Sequence, residues 1–235
     1  MNTFDATIIL WLNQFAHRSE LFDRAVVYLV DCESLKGYFF MVVFWWLWFF
    51  PREKRARNRE IIAATMAAAC AAIFLGRALA LFLPFRLRPE FNPALRFTLP
   101  FGEVPSEGFR PWSAFPSDHA MLFVTMSTGL YFIEPSLGFA AFVYTLVVVA
   151  FPRVYLGFHH PTDIIAGALL GLAAGAAANA SRLRAEISRF ALRWHDRHEG
   201  SFYAAAYVGS SLIATMFNGP REAVLALLKL WRGHP

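Results

Sequence analysis

The chain has 235 residues, of which 57% are hydrophobic and only 17% charged, with a formal net charge of +5 and a mean hydropathy of +0.42. A soluble domain carries roughly 25% charged residues, so composition excludes an ordinary water-soluble globule and favours a polytopic membrane protein. The positive excess lies in short blocks beside apolar runs, which points to membrane topology rather than to nucleic-acid binding.

In chain order, residues 4–16 and 20–31 are moderately apolar but contain Asp5, Arg24 and Asp31. They read as short helices lying at the membrane interface. Asp5, Asn13 and His17 interrupt the first apolar stretch, so the N-terminus does not read as a cleavable signal. Residues 36–50, KGYFFMVVFWWLWFF, form the first span, with aromatic ends suited to the interfacial belt. The block PREKRARNRE, residues 51–60, is a strong cytoplasmic marker. Residues 61–83 make a second span, inside which Arg77 is costly and therefore a functional candidate.

A long external loop over 84–116 follows, and residues 117–133, 137–151 and 163–180 then cross back and forth. Gly167, Gly171 and Gly175 recur every four residues on the last of these, a smooth stripe for close helix packing. The second basic block, RLRAEISRFALRWHDR, falls on the same side as the first by span count. Residues 202–218 make one more span, and the tail 220–232 is amphipathic. The expected fold is an all-α transmembrane helix bundle of five to six spans. It divides into N-terminal interfacial helices (1–35), a catalytic transmembrane region (36–180) and a basic helix with an extra span and tail (181–235). Cys32 and Cys70 lie in separate segments, with no metal-binding spacing and no basis for a disulfide.

This topology gathers three polar clusters at the external ends of spans: Arg86, Arg88 and Pro89; Ser117, Asp118 and His119; Arg153, His159 and Asp163. Such an inventory suits phosphoryl transfer without a metal. Arginine forks match phosphate oxygens two at a time. A helix start at Ser117 adds a cap and free N–H groups. A neutral histidine attacks phosphorus, with a carboxylate to fix its tautomer, and a second histidine protonates the leaving oxygen. Asp118, beside a bound phosphate, is expected to point away, and His160 receives no role.

At these residues the sequence resembles the type 2 phosphatidic acid phosphatase superfamily, integral-membrane lipid phosphatases related to the vanadium haloperoxidases. That family carries a lysine followed by six residues and Arg-Pro; Pro-Ser-Gly-His; and Ser-Arg, five residues, His, three residues, Asp. The third motif is matched by Arg153, His159 and Asp163, the second by Pro116-Ser117-Asp118-His119, and the first keeps Arg88-Pro89. The resemblance covers roughly residues 36–180.

The resemblance implies His159 as the nucleophile that becomes phosphohistidine, Asp163 as its orienting base and His119 as the acid. Arg88, Arg153 and Ser117 would hold the phosphate, with no metal or cofactor. Two positions depart from the pattern. The family lysine falls at Leu81, where Arg77 or Arg86 would replace its charge, and the serine before Arg153 is Pro152. The form is similar to bacterial undecaprenyl-diphosphate phosphatases, which implies a polyprenyl diphosphate substrate at the outer face of the cytoplasmic membrane. Phosphatidylglycerophosphate, phosphatidic acid and lipid A phosphates are alternative substrates. A lipid-to-lipid phosphotransferase and a non-catalytic lipid-binding or lipid-moving protein are alternative functions.

Overall fold

The computed structural model describes residues 2–101, 103, 110–220 and 223. It is a bundle of helices: α1 (Thr3–Asn13), α2 (Glu20–Asp31), α3 (Phe39–Phe49), α4 (Arg55–Phe82), α5 (Asp118–Ile133), α6 (Pro135–Tyr144), α7 (Phe151–Tyr155), α8 (Pro161–Asn179), α9 (Ser181–Arg197) and α10 (Glu199–Ala214). A π-helical turn, Ser34–Tyr38, leads into α3. A second one, Thr145–Ala150, joins α6 to α7, so that Pro135–Tyr155 runs as one helix of 21 residues.

Three helices among the described residues are long and apolar enough to cross a membrane: Arg52–Phe82, Pro135–Tyr155 and Pro161–Asn179. The segment Ser34–Phe49 is apolar but shorter. The protein is therefore a multi-pass helical membrane protein. The amphipathic tail expected at 220–232 lies almost entirely outside the described residues.

Short polar residues start the helices as expected of caps. The Asn2 side chain accepts from Asp5 N at 2.7 Å, and Ser19 accepts from Phe22 N at 3.3 Å. Pro161 opens α8 at a position where no intrahelical N–H is needed.

Helix α5 is the centre of the bundle and packs against α4, α6 and α8. Its contact with α8 is made by the glycine stripe. A Cβ on Gly167 would stand 2.3 Å from the carbonyl oxygen of Ser117, and one on Gly171 would stand 2.3 Å from that of Met121. At Gly175 it would meet Thr128 Cβ at 2.7 Å. The backbones approach closely enough for the Thr125 hydroxyl to donate to the Gly171 carbonyl at 3.0 Å. The remaining core, around Phe40, Phe44, Ile61, Phe123 and Met126, fills the space between α3, α4 and α5. Large apolar side chains such as Phe82, Phe139 and Leu169 face outward, as lipid-facing positions do.

The two basic blocks share one end of the bundle. Arg184 Nε lies 3.7 Å from Glu60 Oε2, and Arg57 donates to the carbonyl of Phe132 at 2.8 Å. The three polar clusters gather at the other end.

Candidate active site

A cavity of about 370 Å³ opens at that end. Its wall takes in Arg88 from the loop after α4, Asp118 and His119 from the first turn of α5, Arg153 from α7 and His159 from the loop before α8. Of the expected site residues, the structure brings His119, His159, Arg88, Arg153 and Arg77 to one cavity. Asp163, Ser117 and Arg86 stand behind its wall.

Local chain geometry sets this up. Gly157, at φ +77, makes the turn between α7 and α8, a conformation glycine adopts without strain. The Gly157 carbonyl accepts from Glu90 N at 3.1 Å, which ties the Arg88-Pro89 segment to the His159 loop. Arg88 Nη1 adds a bond to the carbonyl of Phe158 at 3.0 Å.

His159 is 4% exposed, and its Nδ1 lies 2.8 Å from the carbonyl oxygen of Ala114. A carbonyl only accepts, so Nδ1 carries the proton and Nε2 keeps its lone pair. Burial, reinforced by the charges of Arg88 and Arg153 and opposed by Asp118, holds the imidazole well below its ordinary pKa. At neutral pH the imidazole is uncharged, with Nε2 free to act as a nucleophile.

His119 Nδ1 lies 2.8 Å from Asp118 Oδ1, an acceptor that fixes the same tautomer. Asp118 thus does not point away. It lines the cavity, and Arg77 Nε, 3.8 Å from its Oδ2, balances its charge. Arg77 also donates to the carbonyl of Met216 at 2.7 Å. It is engaged with Asp118 and α10's exit rather than presented as a bare phosphate ligand.

Asp163 corrects a second expectation. Its Oδ2 is 3.9 Å from His159 Nδ1, too far for a hydrogen bond. It accepts instead from His160 N at 2.7 Å and lies 3.1 Å from His160 Nδ1, closing a capping box at the start of α8. The imidazole of His160, at the N-cap, therefore answers to Asp163, which leaves His159 to a backbone partner.

Arg86 is drawn to the same carboxylate. One arm pairs with Asp163 Oδ1 and with Thr162 Oγ1 at 2.8 Å, and the other pairs with Asp5 Oδ2 at 2.5 Å. Two fully buried carboxylates hold it, so it is spent on structure and not on phosphate. Burial would raise the Asp5 pKa, but bonds from Thr162 and Arg86 outweigh it and hold the carboxyl below its usual range. Ser117 is fully buried, and its hydroxyl caps α5 by accepting from Ala120 N at 3.3 Å.

Sequence reasoning missed Asp5 and Lys36. Asp5 is an isolated acid in an apolar helix, and Lys36 is a lone cation at the head of an apolar span. Both are costly placements, and that cost was the available signal. Leu81, by contrast, is 67% exposed and stands away from the cavity.

The comparisons with known proteins agree with this architecture. The family model of the PAP2 superfamily matches residues 81–186. The chain is similar to the bacitracin transport permease protein BcrC of Bacillus licheniformis, 25% identical over 136 residues, or 56% of this chain and 58% of that one. It is also similar to an undecaprenyl-diphosphatase of Sulfolobus acidocaldarius, 38% identical over 58 residues, or 25% of this chain and 28% of that one. The chain thus spans less than two thirds of the length of either relative. The crystal structure of Aquifex aeolicus LpxE shares the fold, with a TM-score of 0.52 and 24% identity over 73% of this chain and 92% of that one. Residues 81–186, which carry all three motifs, thus match the PAP2 superfamily model, and the fold is that of LpxE.

Proposed function

We propose that the protein is a lipid phosphatase. It hydrolyses undecaprenyl diphosphate to undecaprenyl phosphate through a phosphohistidine on His159, without a metal. The observation that carries this reading is the pair of imidazoles in one arginine-lined cavity, each with Nδ1 engaged by an oxygen and Nε2 left for chemistry.

In the first step His159 Nε2 bonds to the terminal phosphorus and the bridging P–O bond breaks. His119 gives its proton to the departing oxygen. Arg88 and Arg153 take up the charge on the phosphoryl oxygens as it develops. In the second step His119 takes a proton from water, the water oxygen bonds to phosphorus and the N–P bond breaks. Inorganic phosphate leaves and both histidines return to their starting states. Asp163 acts through the loop: it fixes His160 and the first turn of α8, and so the place of His159.

The substrate class is supported by the names of the matched relatives and by a cavity of about 370 Å³, lined by arginines and histidines, at the end of an apolar bundle. The two basic blocks at the opposite end support a cytoplasmic-membrane protein whose site faces the cell exterior or periplasm. The test is phosphate release by purified protein in detergent with EDTA present. Undecaprenyl diphosphate, phosphatidic acid and phosphatidylglycerophosphate are offered side by side. Release from undecaprenyl diphosphate first, abolished in His159→Ala, is expected. Near wild-type turnover in that variant would overturn the mechanism.

A further inference from the structure

Lys36 is 2% exposed, yet it lines the same cavity as Arg88, Arg153, His119 and His159. A lysine is almost never fully buried without a reason, since withdrawing an ammonium from water is costly. Its partners here account for little of that cost. Nζ donates to the carbonyl of Val30 and sits 3.4 Å from Glu33 Oε1, a loose pair to a carboxylate that is itself one-third exposed. An ammonium has three donors, so one N–H remains for a ligand, and the Glu33 contact can be exchanged for one.

Its position is built, not incidental. Lys36 sits on the π-helical turn Ser34–Tyr38, and that turn is pressed against the end of α10. A Cβ on Gly37 would lie 2.0 Å from the carbonyl oxygen of Ala214. Tyr38 Oη and Ser211 Oγ are 3.0 Å apart. The chain leaving α10 then supplies the Met216 carbonyl to Arg77 and places Asn218 in the cavity wall. Neither Lys36 nor α10 falls within residues 81–186, the region matched to the family.

We infer that Lys36 binds a phosphate oxygen of the substrate, displacing Glu33, and that α10 is the wall that holds it there. The inference rests on the phosphatase reading for its substrate, but phosphate binding itself can be read without turnover. The probe is inorganic phosphate, followed as an inhibitor of lipid hydrolysis and as a stabiliser of the folded protein on heating in detergent.

Lys36→Met removes the charge and keeps the length. Loss of one charged hydrogen bond weakens phosphate about tenfold to a hundredfold, with KM rising by a similar factor and kcat falling less. Glu33→Gln should move the other way and tighten phosphate, because Lys36 no longer has a competing carboxylate. Wild-type phosphate affinity and KM in Lys36→Met would overturn the inference while leaving the phosphatase reading intact. Wild-type protein that binds phosphate but releases none from any lipid would sink the phosphatase reading alone. Should Lys36→Met fail to fold, Glu33→Gln decides, and unchanged or weaker phosphate binding would overturn the role of Lys36.

Discussion

Nδ1 of His159 faces the carbonyl of Ala114 at 2.8 Å and the carboxylate of Asp163 at 3.9 Å, so a backbone oxygen sets the tautomer of the histidine proposed as nucleophile. The carboxylate that the motif spacing suggested for this task is instead shared between the cap of α8 and Arg86. Asp163 therefore shapes the loop that carries His159, and its removal affects structure and rate together.

Asp163→Asn keeps the size of the side chain but leaves Arg86 with half its charge partners. Breaking a buried pair of this kind costs about 3 kcal/mol. The expected result is a lower melting temperature together with reduced kcat. An Asp163→Asn protein with wild-type melting but little activity would instead favour direct contact between Asp163 and His159 during turnover.

Arg86 and Arg88, two residues apart, should fail differently. Arg86→Ala strands two buried carboxylates, Asp5 and Asp163, and destabilises the fold by about 3–5 kcal/mol. Arg88→Ala should leave melting close to wild type and lower kcat/KM by about a hundredfold to a thousandfold. Paired thermal unfolding and kinetics of the two variants separate them, and the reverse pattern would refute the assignment.

The neutral state of His159 predicts its pH behaviour. Its pKa in the folded protein is depressed, so the unfolded chain takes up this proton at a higher pH than the native protein does. Folding stability from this group is complete above the ordinary histidine range and declines as pH falls below it. Activity should survive through the same window, because the nucleophile stays uncharged. A kcat/KM profile should place the acid limb clearly below about pH 6.5, the unperturbed histidine value. An acid limb at or above that value would mean that His159 is not held neutral by its surroundings.

Closeness of α5 and α8 predicts intolerance at Gly171. An added methyl meets the Met121 carbonyl at 2.3 Å, so backbone must move. Gly171→Ala should destabilise by about 1–3 kcal/mol, and Gly171→Leu by more, with activity falling in parallel because both helices carry site residues at their first turns. Gly200, whose added Cβ would meet nothing within 4 Å, serves as the control and should accept alanine without loss.

Much of this protein is set by relationships that are local in the chain, and these the sequence by itself determined. Long apolar runs prescribe the helices, the basic blocks prescribe which ends lie together, and a glycine every fourth residue prescribes the close face of α8. The spacing of Arg153, His159 and Asp163 keeps those residues near one another, because a five-residue loop between α7 and α8 and one helical turn leave little freedom. What only the tertiary structure decided is which charges meet. Asp5 reaches Thr162 and Arg86 across the bundle, Arg77 meets Asp118, and Lys36 enters the cavity from a turn braced by Gly37 against Ala214. Those pairings depend on the rotation of each helix about its axis and on how closely distant segments dock. In an apolar bundle a buried charge must find its partner wherever packing puts one, and no sequence spacing encodes that.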